Sequence, residues 1–227
     1  LISELDREWG EKMHEQQVRP YSQYLLVKEG KPYWRLAALT EEAFCHILQP
    51  MMRKGSLFLE QKGYEVGLGD FHMVKQDSFQ GLEERFWTGT DKVHHIDLEF
   101  LTSASFKKNG EYMIFPELPL VFNNLIRKWN VYSDSMVLGE ERLGNKLAES
   151  MCITDYRLHT HPFSVEGRRI RAFRGNIRLG LFKDDITRRM ASMLAAFADY
   201  AGIGIKTAMG MGAVESDISY YQKKERL

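Results

Sequence analysis

The chain reads as an α+β protein built from two tandem ferredoxin-like domains, the first lacking its initial strand and most of its first helix. Three observations carry this. From His95 onward the patterning runs strand, helix, strand, strand, helix, strand, which is the ferredoxin-like order. The first half repeats a shortened version of that order. A strong helical pattern over Asp185–Tyr200 is then followed by a glycine-dense stretch, Ala201–Gly212, and a closing strand. With 227 residues and 44% hydrophobic content, two small domains are within reach. They are placed at residues 1–88 and 93–219, with the polar, turn-rich stretch 76–92 as the boundary.

Each element has its own signal. Ile2, Leu5, Trp9 and Met13 recur at helical spacing, so the sequence opens inside a helix ending near Met13–Gln17. Tyr24–Val27 and Tyr33–Leu39 form a strand pair around the turn at Gly30. Thr40 is an N-cap with Glu41 and Glu42 in the first turn. Phe44, Ile47, Leu48 and Met51 make one helical face, which Pro50 kinks or ends. Ser56–Leu59 and Phe71–Lys75 are the next candidate strands. In the second half, Ile96, Leu98 and Phe100 alternate with His95, Asp97 and Glu99, a half-buried strand. Leu118–Trp129 is helical and Cys152–Leu158 extended. Phe173, Ile177, Leu179 and Leu181 share one parity, with a turn or bulge expected near Ile170–Ala172.

Composition bounds the function. Lys plus Arg and Asp plus Glu both number 31, so net charge selects no partner. From Met151 onward there are thirteen basic against eight acidic residues, and that asymmetry points toward nucleic acid. Cys45 and Cys152 lie in apolar patterns and are expected to be buried thiols of a reducing cytosol. Zinc-ligand spacing is absent, as are a membrane-length apolar run and a signal-peptide core. The expectation is a cytoplasmic protein without membrane contact, metal or cofactor.

The glycine stretch holds Gly202, Gly204, Lys206, Thr207, Gly210 and Gly212. Its free amides could form an anion-binding concavity supplemented by the lysine; equally, it could be a tight helix-to-strand connection. It lacks the Gly-Lys-Ser/Thr ending of a nucleotide loop, and it follows a helix rather than a strand. Upstream, Arg168, Arg169, Arg171, Arg174 and Arg178 fall within eleven residues that contain no acid. With Phe173 and Ile177 inward, Arg174, Asn176 and Arg178 face solvent. Such a surface suits phosphate contacts; the alternative is a solvated basic strand.

His14 ends the first helix, and Arg19, Pro20, Tyr21 and Ser22 follow. A histidine exchanges protons near neutrality, and an arginine can stabilise a phosphate gaining charge. A histidine capping a helix end accounts for the same pattern. His94 and His95 adjoin a strand and should face opposite ways. His159 and His161 flank a turn; His46 is a helix-surface residue and His72 a strand one. Phe79, Phe86 and Trp87 are of a type that could stack on bases, but packing at the domain junction is the expected role.

Taken together, these residues resemble the CRISPR-associated endoribonucleases that cut precursor CRISPR RNA at its repeats, within the RAMP superfamily. Four pieces carry the resemblance: Ala201–Gly212 with Ala213-Val214-Glu215; Tyr112–Pro116 through Phe122, Leu125, Lys128, Trp129 and Asn130; Phe173-Arg174-Gly175; and Met13-His14-Glu15 through Arg19–Ser22. The likeness implies the tandem ferredoxin-like (RRM-like) fold and binding of one CRISPR repeat RNA, often a stem-loop. It also implies metal-independent cleavage by the neighbouring 2′-hydroxyl, leaving 2′,3′-cyclic phosphate and 5′-hydroxyl ends. His14 would be general acid or base and Arg19 would help the phosphate. The arginine run and Lys206 would hold the RNA. A homodimer and a CRISPR effector complex are further partners the family allows. The alternative within the superfamily is a non-cleaving RNA-binding subunit of such a complex. Outside it stands an unrelated ferredoxin-like assembly or sensing protein.

Overall fold

A computed structural model describes residues 7–59, 62–139, 142–165 and 167–221, with the backbone alone described for Arg7 and His14. Helix α1 is Arg7–Glu15. Strands β1 (Tyr21–Lys28) and β2 (Lys31–Ala38) pair as a hairpin whose turn residues Glu29 and Gly30 both have positive φ, the geometry that matches strand twist. Thr40 caps the next helix by accepting from the Ala43 amide at 3.1 Å. That helix, α2, runs as Glu41–Ala43, a π turn Phe44–Leu48, and Gln49–Met51. Pro50 has no amide to donate, and the wider π turn just before it lets the helix continue. Strands β3 (Ser56–Leu59) and β4 (Tyr64–Gly67) form a second hairpin.

Helix α3 (Phe79–Thr88) follows, capped by Ser78. The second half comprises β5 (Val93–Ala104), β6 (Phe106–Lys108), β7 (Glu111–Met113), α4 (Leu118–Tyr132), α5 (Leu143–Ala148), β8 (Met151–Thr160), β9 (Phe163–Val165), β10 (Arg168–Ile170), β11 (Phe173–Leu181), α6 (Asp185–Ala201) and β12 (Val214–Tyr220). Strands β12-β5-β11-β8 make one antiparallel sheet in that spatial order. Taken in chain order, the arrangement is fourth, first, third, second, the ferredoxin-like topology. The hairpins β6–β7 and β9–β10 are insertions at one end of the sheet.

One face of the sheet carries the core. Ile96, Leu98, Phe100, Ile177 and Leu179 point to α4 and α6, where Phe122, Leu125, Trp129, Leu194 and Phe197 meet them. Each such side chain removed from water stabilises the fold by about 1.5–3 kcal/mol. The other face is open to solvent and sets what the protein can bind.

Several expectations change. Residues 71–75 form no strand; β4 lies earlier and pairs with β3. His72 is therefore outside any strand. The 76–92 stretch is largely α3, and Leu82 and Phe86 are buried in the main core while Phe79 meets Trp129 edge-on at 4.9 Å. Cys45 and Cys152 are free and exposed rather than buried. His94 and His95 do not diverge: their Nδ1 atoms lie 2.8 Å apart. The bulge falls at Phe173/Gly175, just after the expected position. No helix of the described residues is long and apolar enough to cross a membrane.

Candidate functional site

The glycine stretch folds as a clasp, and its amides are turned inward. Gly202 donates to Ala198 at 2.8 Å and Ile203 to the Gly212 carbonyl at 2.8 Å. Gly204 donates to Asn124 Oδ1 at 2.9 Å. Ile205 reaches the Ser105 carbonyl at 3.0 Å and Gly212 the Ser103 carbonyl at 2.9 Å. The open concavity of successive free amides is therefore corrected: at Gly202, Gly204 and Gly212 the donors serve the fold. Buried amides must find partners, and here they find the end of β5 and the flank of α4. Thr207 is also buried, and a short 3₁₀ turn runs Thr207–Met209. Lys206 stays half-buried at the rim, with Nζ 3.6 Å from Met209 Sδ.

Helix α4 grips the clasp with two side chains one turn apart. Asn124 brackets Gly204. Lys128 donates to the carbonyls of Ala201 and Gly202 at 2.9 Å each and to Thr207 Oγ1 at 3.3 Å. Burial, followed by the charge of Arg127, pushes the Lys128 ammonium down to about 7. Its acceptors are the carbonyl end of α6, where positive charge is favoured. Sequence reasoning gave neither residue a role, although Lys128 is among those that carry the family resemblance. The available signal was Lys128 on the apolar stripe of α4, among Val121, Leu125 and Trp129.

The other side of the clasp meets the first domain. Ala208 packs in one buried cluster with Trp9, Met13 and Tyr21, and Gln23 Nε2 donates to the Ala208 carbonyl at 2.7 Å. His14 is the last-but-one residue of α1; its side chain lies outside the described residues. Arg19 turns back to α1 and donates from Nε to the Met13 carbonyl at 2.9 Å, a cation at a helix C-terminus. Two tyrosines flank this arginine. Burial raises Tyr132 to about 12, against the pull of Arg19, and raises Tyr21 in the same way. Neither phenol is a ready base near neutral pH.

The arginines divide. Arg168 and Arg169 stand exposed on β10. Arg171 pairs with Glu111 at 2.9 Å in full exposure, a contact of little strength. Arg174 lies on the open sheet face. Arg178 does not join them: it binds both oxygens of Asp97 at 2.8 and 2.9 Å, in a depression lined by Glu99, Asp155, Glu215 and Asp217. Its expected phosphate contact is corrected, because its guanidinium fork is already filled by a carboxylate. Among the described residues no group of His, Cys, Asp or Glu is arranged to hold a metal ion.

Residues 98–214 match the family of CRISPR-associated endoribonuclease Cas6. The chain is 28% identical over 225 residues to the CRISPR-associated endoribonuclease Cas6 of Streptococcus thermophilus, covering 95% of this chain and 87% of that protein. It is 28% identical to the Cas6 of Mycobacterium tuberculosis, covering 94% and 68%. Its fold superposes on a Cas6 product complex with a TM-score of 0.80 at 21% identity, over 94% of this chain and 89% of that one. On Thermus thermophilus Cas6 the TM-score is 0.68 at 21% identity, over 95% and 86%.

Proposed function

This chain belongs to the Cas6 family of CRISPR-associated endoribonucleases, and from that premise we propose that it binds CRISPR repeat RNA and cleaves the precursor without metal. The 2′-hydroxyl beside the scissile phosphate attacks in line. The bond to the 5′-oxygen breaks, leaving a 2′,3′-cyclic phosphate and a 5′-hydroxyl. His14 serves as general acid or base. Arg19 seats the end of the helix that bears it and sets positive charge beside the reacting phosphate. Arg168, Arg169 and Arg174, with Lys206 at the clasp rim, hold the RNA by its backbone, the usual mode for A-form helices.

One observation supports this reading above the others. The C-terminal end of α1 is tied to the clasp through Met13 and Ala208 and to Arg19 through the Met13 carbonyl. The backbone that carries His14, the Arg19 side chain and the clasp that bears Lys206 thus meet at one junction between the two halves. A general acid or base contributes about 10²–10⁴-fold. His14→Ala should therefore slow single-turnover cleavage of a synthetic repeat RNA by that factor and leave Kd within about twofold, as a group acting only in the transition state requires. Full-rate cleavage by the variant would remove His14 from the mechanism. Tight binding with no cleavage by the wild type would favour the non-cleaving RNA-binding subunit.

A further inference from the structure

The open face of the four-stranded sheet changes sign along its length, and the register shows where. Asp217, Asp97, Arg178 and Asp155 form one cross-strand row. Glu215, Glu99, Asn176 and Arg157 form the next. In the row beyond, Arg174 is paired with His159 on β8. The first row repels a polyanion, since its single arginine is spent on Asp97. In the second, Glu215 is met by Arg35 from β2 at 3.3 Å. Arg157 and Arg174 have no ion-pair partner among the described residues.

We propose that Arg174, His159 and His161 form a phosphate-contact site for RNA that continues the basic track from the β9–β10 hairpin onto the end of the sheet. His161 is held in place for this. Its amide donates to the Ala172 carbonyl at 2.8 Å. Its Nδ1 lies 2.7 Å from the hydroxyl of Ser103, itself only 3% exposed. With Nδ1 engaged below, Nε2 is the nitrogen left for a ligand, and the residue is exposed. The His159 ring stands 6.2 Å away, edge to face. Two exposed imidazoles and the half-buried Arg174, which the register sets opposite His159, therefore share one corner of the sheet, beside the clasp whose Gly212 amide is anchored on Ser103. An imidazole N–H and an arginine are both phosphate donors. The carboxylate rows limit the site, so RNA reaches the sheet at its hairpin end and is turned away from its centre.

This site rests on the RNA-binding reading above, and the test separates the two. The probe is a synthetic repeat RNA with a 2′-deoxy substitution at the cleavage position, followed by fluorescence anisotropy from low to moderate salt. Wild type should give a steep log–log salt dependence. Arg174→Ala should lower that slope by about one unit and raise Kd severalfold. Arg174→Lys should restore the slope. His159→Gln/His161→Gln should weaken binding severalfold with unchanged thermal unfolding; if that pair misfolds, the single variant His159→Gln, at an exposed position, decides. Wild-type slope and affinity in Arg174→Ala would overturn the site and take Arg174 out of the RNA track, while leaving cleavage and the contacts of Arg168, Arg169 and Lys206 standing. Salt-independent or absent binding by the wild type would overturn both.

Discussion

Gly212 and Gly210 stand two residues apart in the clasp, both with positive φ, yet alanine should affect them very differently. At Gly212 an added Cβ would lie 2.0 Å from the Ile203 carbonyl oxygen, at φ +64°. Holding an L-residue in the left-handed region that glycine favours costs about 1–2 kcal/mol. Relieving the contact forces the two arms of the clasp apart by more than an ångström. That breaks the Ile203-to-Gly212 bond, the Gly212-to-Ser103 bond, or both, each worth about 1 kcal/mol net. The sum is about 2–4 kcal/mol. At Gly210, φ is +98° and the nearest atom to the new Cβ is Phe163 Cζ at 3.9 Å. Only the backbone cost remains, about 1–2 kcal/mol. Urea unfolding at constant m should therefore separate the two variants by about 1–2 kcal/mol, or roughly 2–8 °C in Tm for a chain of this size. Equal stabilities would refute the clasp, because the two arms would then not be in contact.

Lys128→Met should destabilise the protein by about 2–4 kcal/mol, since it strands two carbonyls and the Thr207 hydroxyl in the interior. The same lysine gives a pH signature. Its folded value is lowered to about 7 from 10.5, so between those values the unfolded chain holds the extra proton, and this group's contribution to stability rises with pH across that window. Denaturation at pH 7 and pH 9 should show the rise in wild type and its absence in Lys128→Met; a fall with pH would contradict the assignment. Asp97→Asn removes a carboxylate and releases Arg178; low-salt affinity for an unrelated RNA should increase severalfold, and no change would show that the sheet centre does not repel RNA. Both thiols are exposed, so Ellman's reagent should titrate Cys45 and Cys152 in the native protein without denaturant; a thiol that reacts only after unfolding would contradict its placement.

The main sheet was legible because its strands alternate. Ile96, Leu98 and Phe100 against His95, Asp97 and Glu99 fix which face is buried, and a period of two leaves no other choice. Helix α6 announced itself through its apolar stripe. Helix α3 did not, although Phe79, Leu82 and Phe86 recur at helical spacing, because Gln80, Gly81, Glu83 and Glu84 between them read as a turn-rich linker. Non-local pairing was illegible in principle. Nothing within the arginine run shows that Arg178 sits opposite Asp97, eighty-one positions away. The acceptors for the clasp amides, Ser103, Ser105 and Asn124, are likewise remote. Local composition marked the clasp as special; only the packing shows that its special backbone joins the domains instead of cradling an anion.

The most direct test of the account is cleavage of synthetic repeat RNA in EDTA, with the product ends identified by mass spectrometry. Full cleavage is expected, with 2′,3′-cyclic phosphate on one fragment and 5′-hydroxyl on the other. Cleavage that requires magnesium, or that leaves a 5′-phosphate, would contradict it.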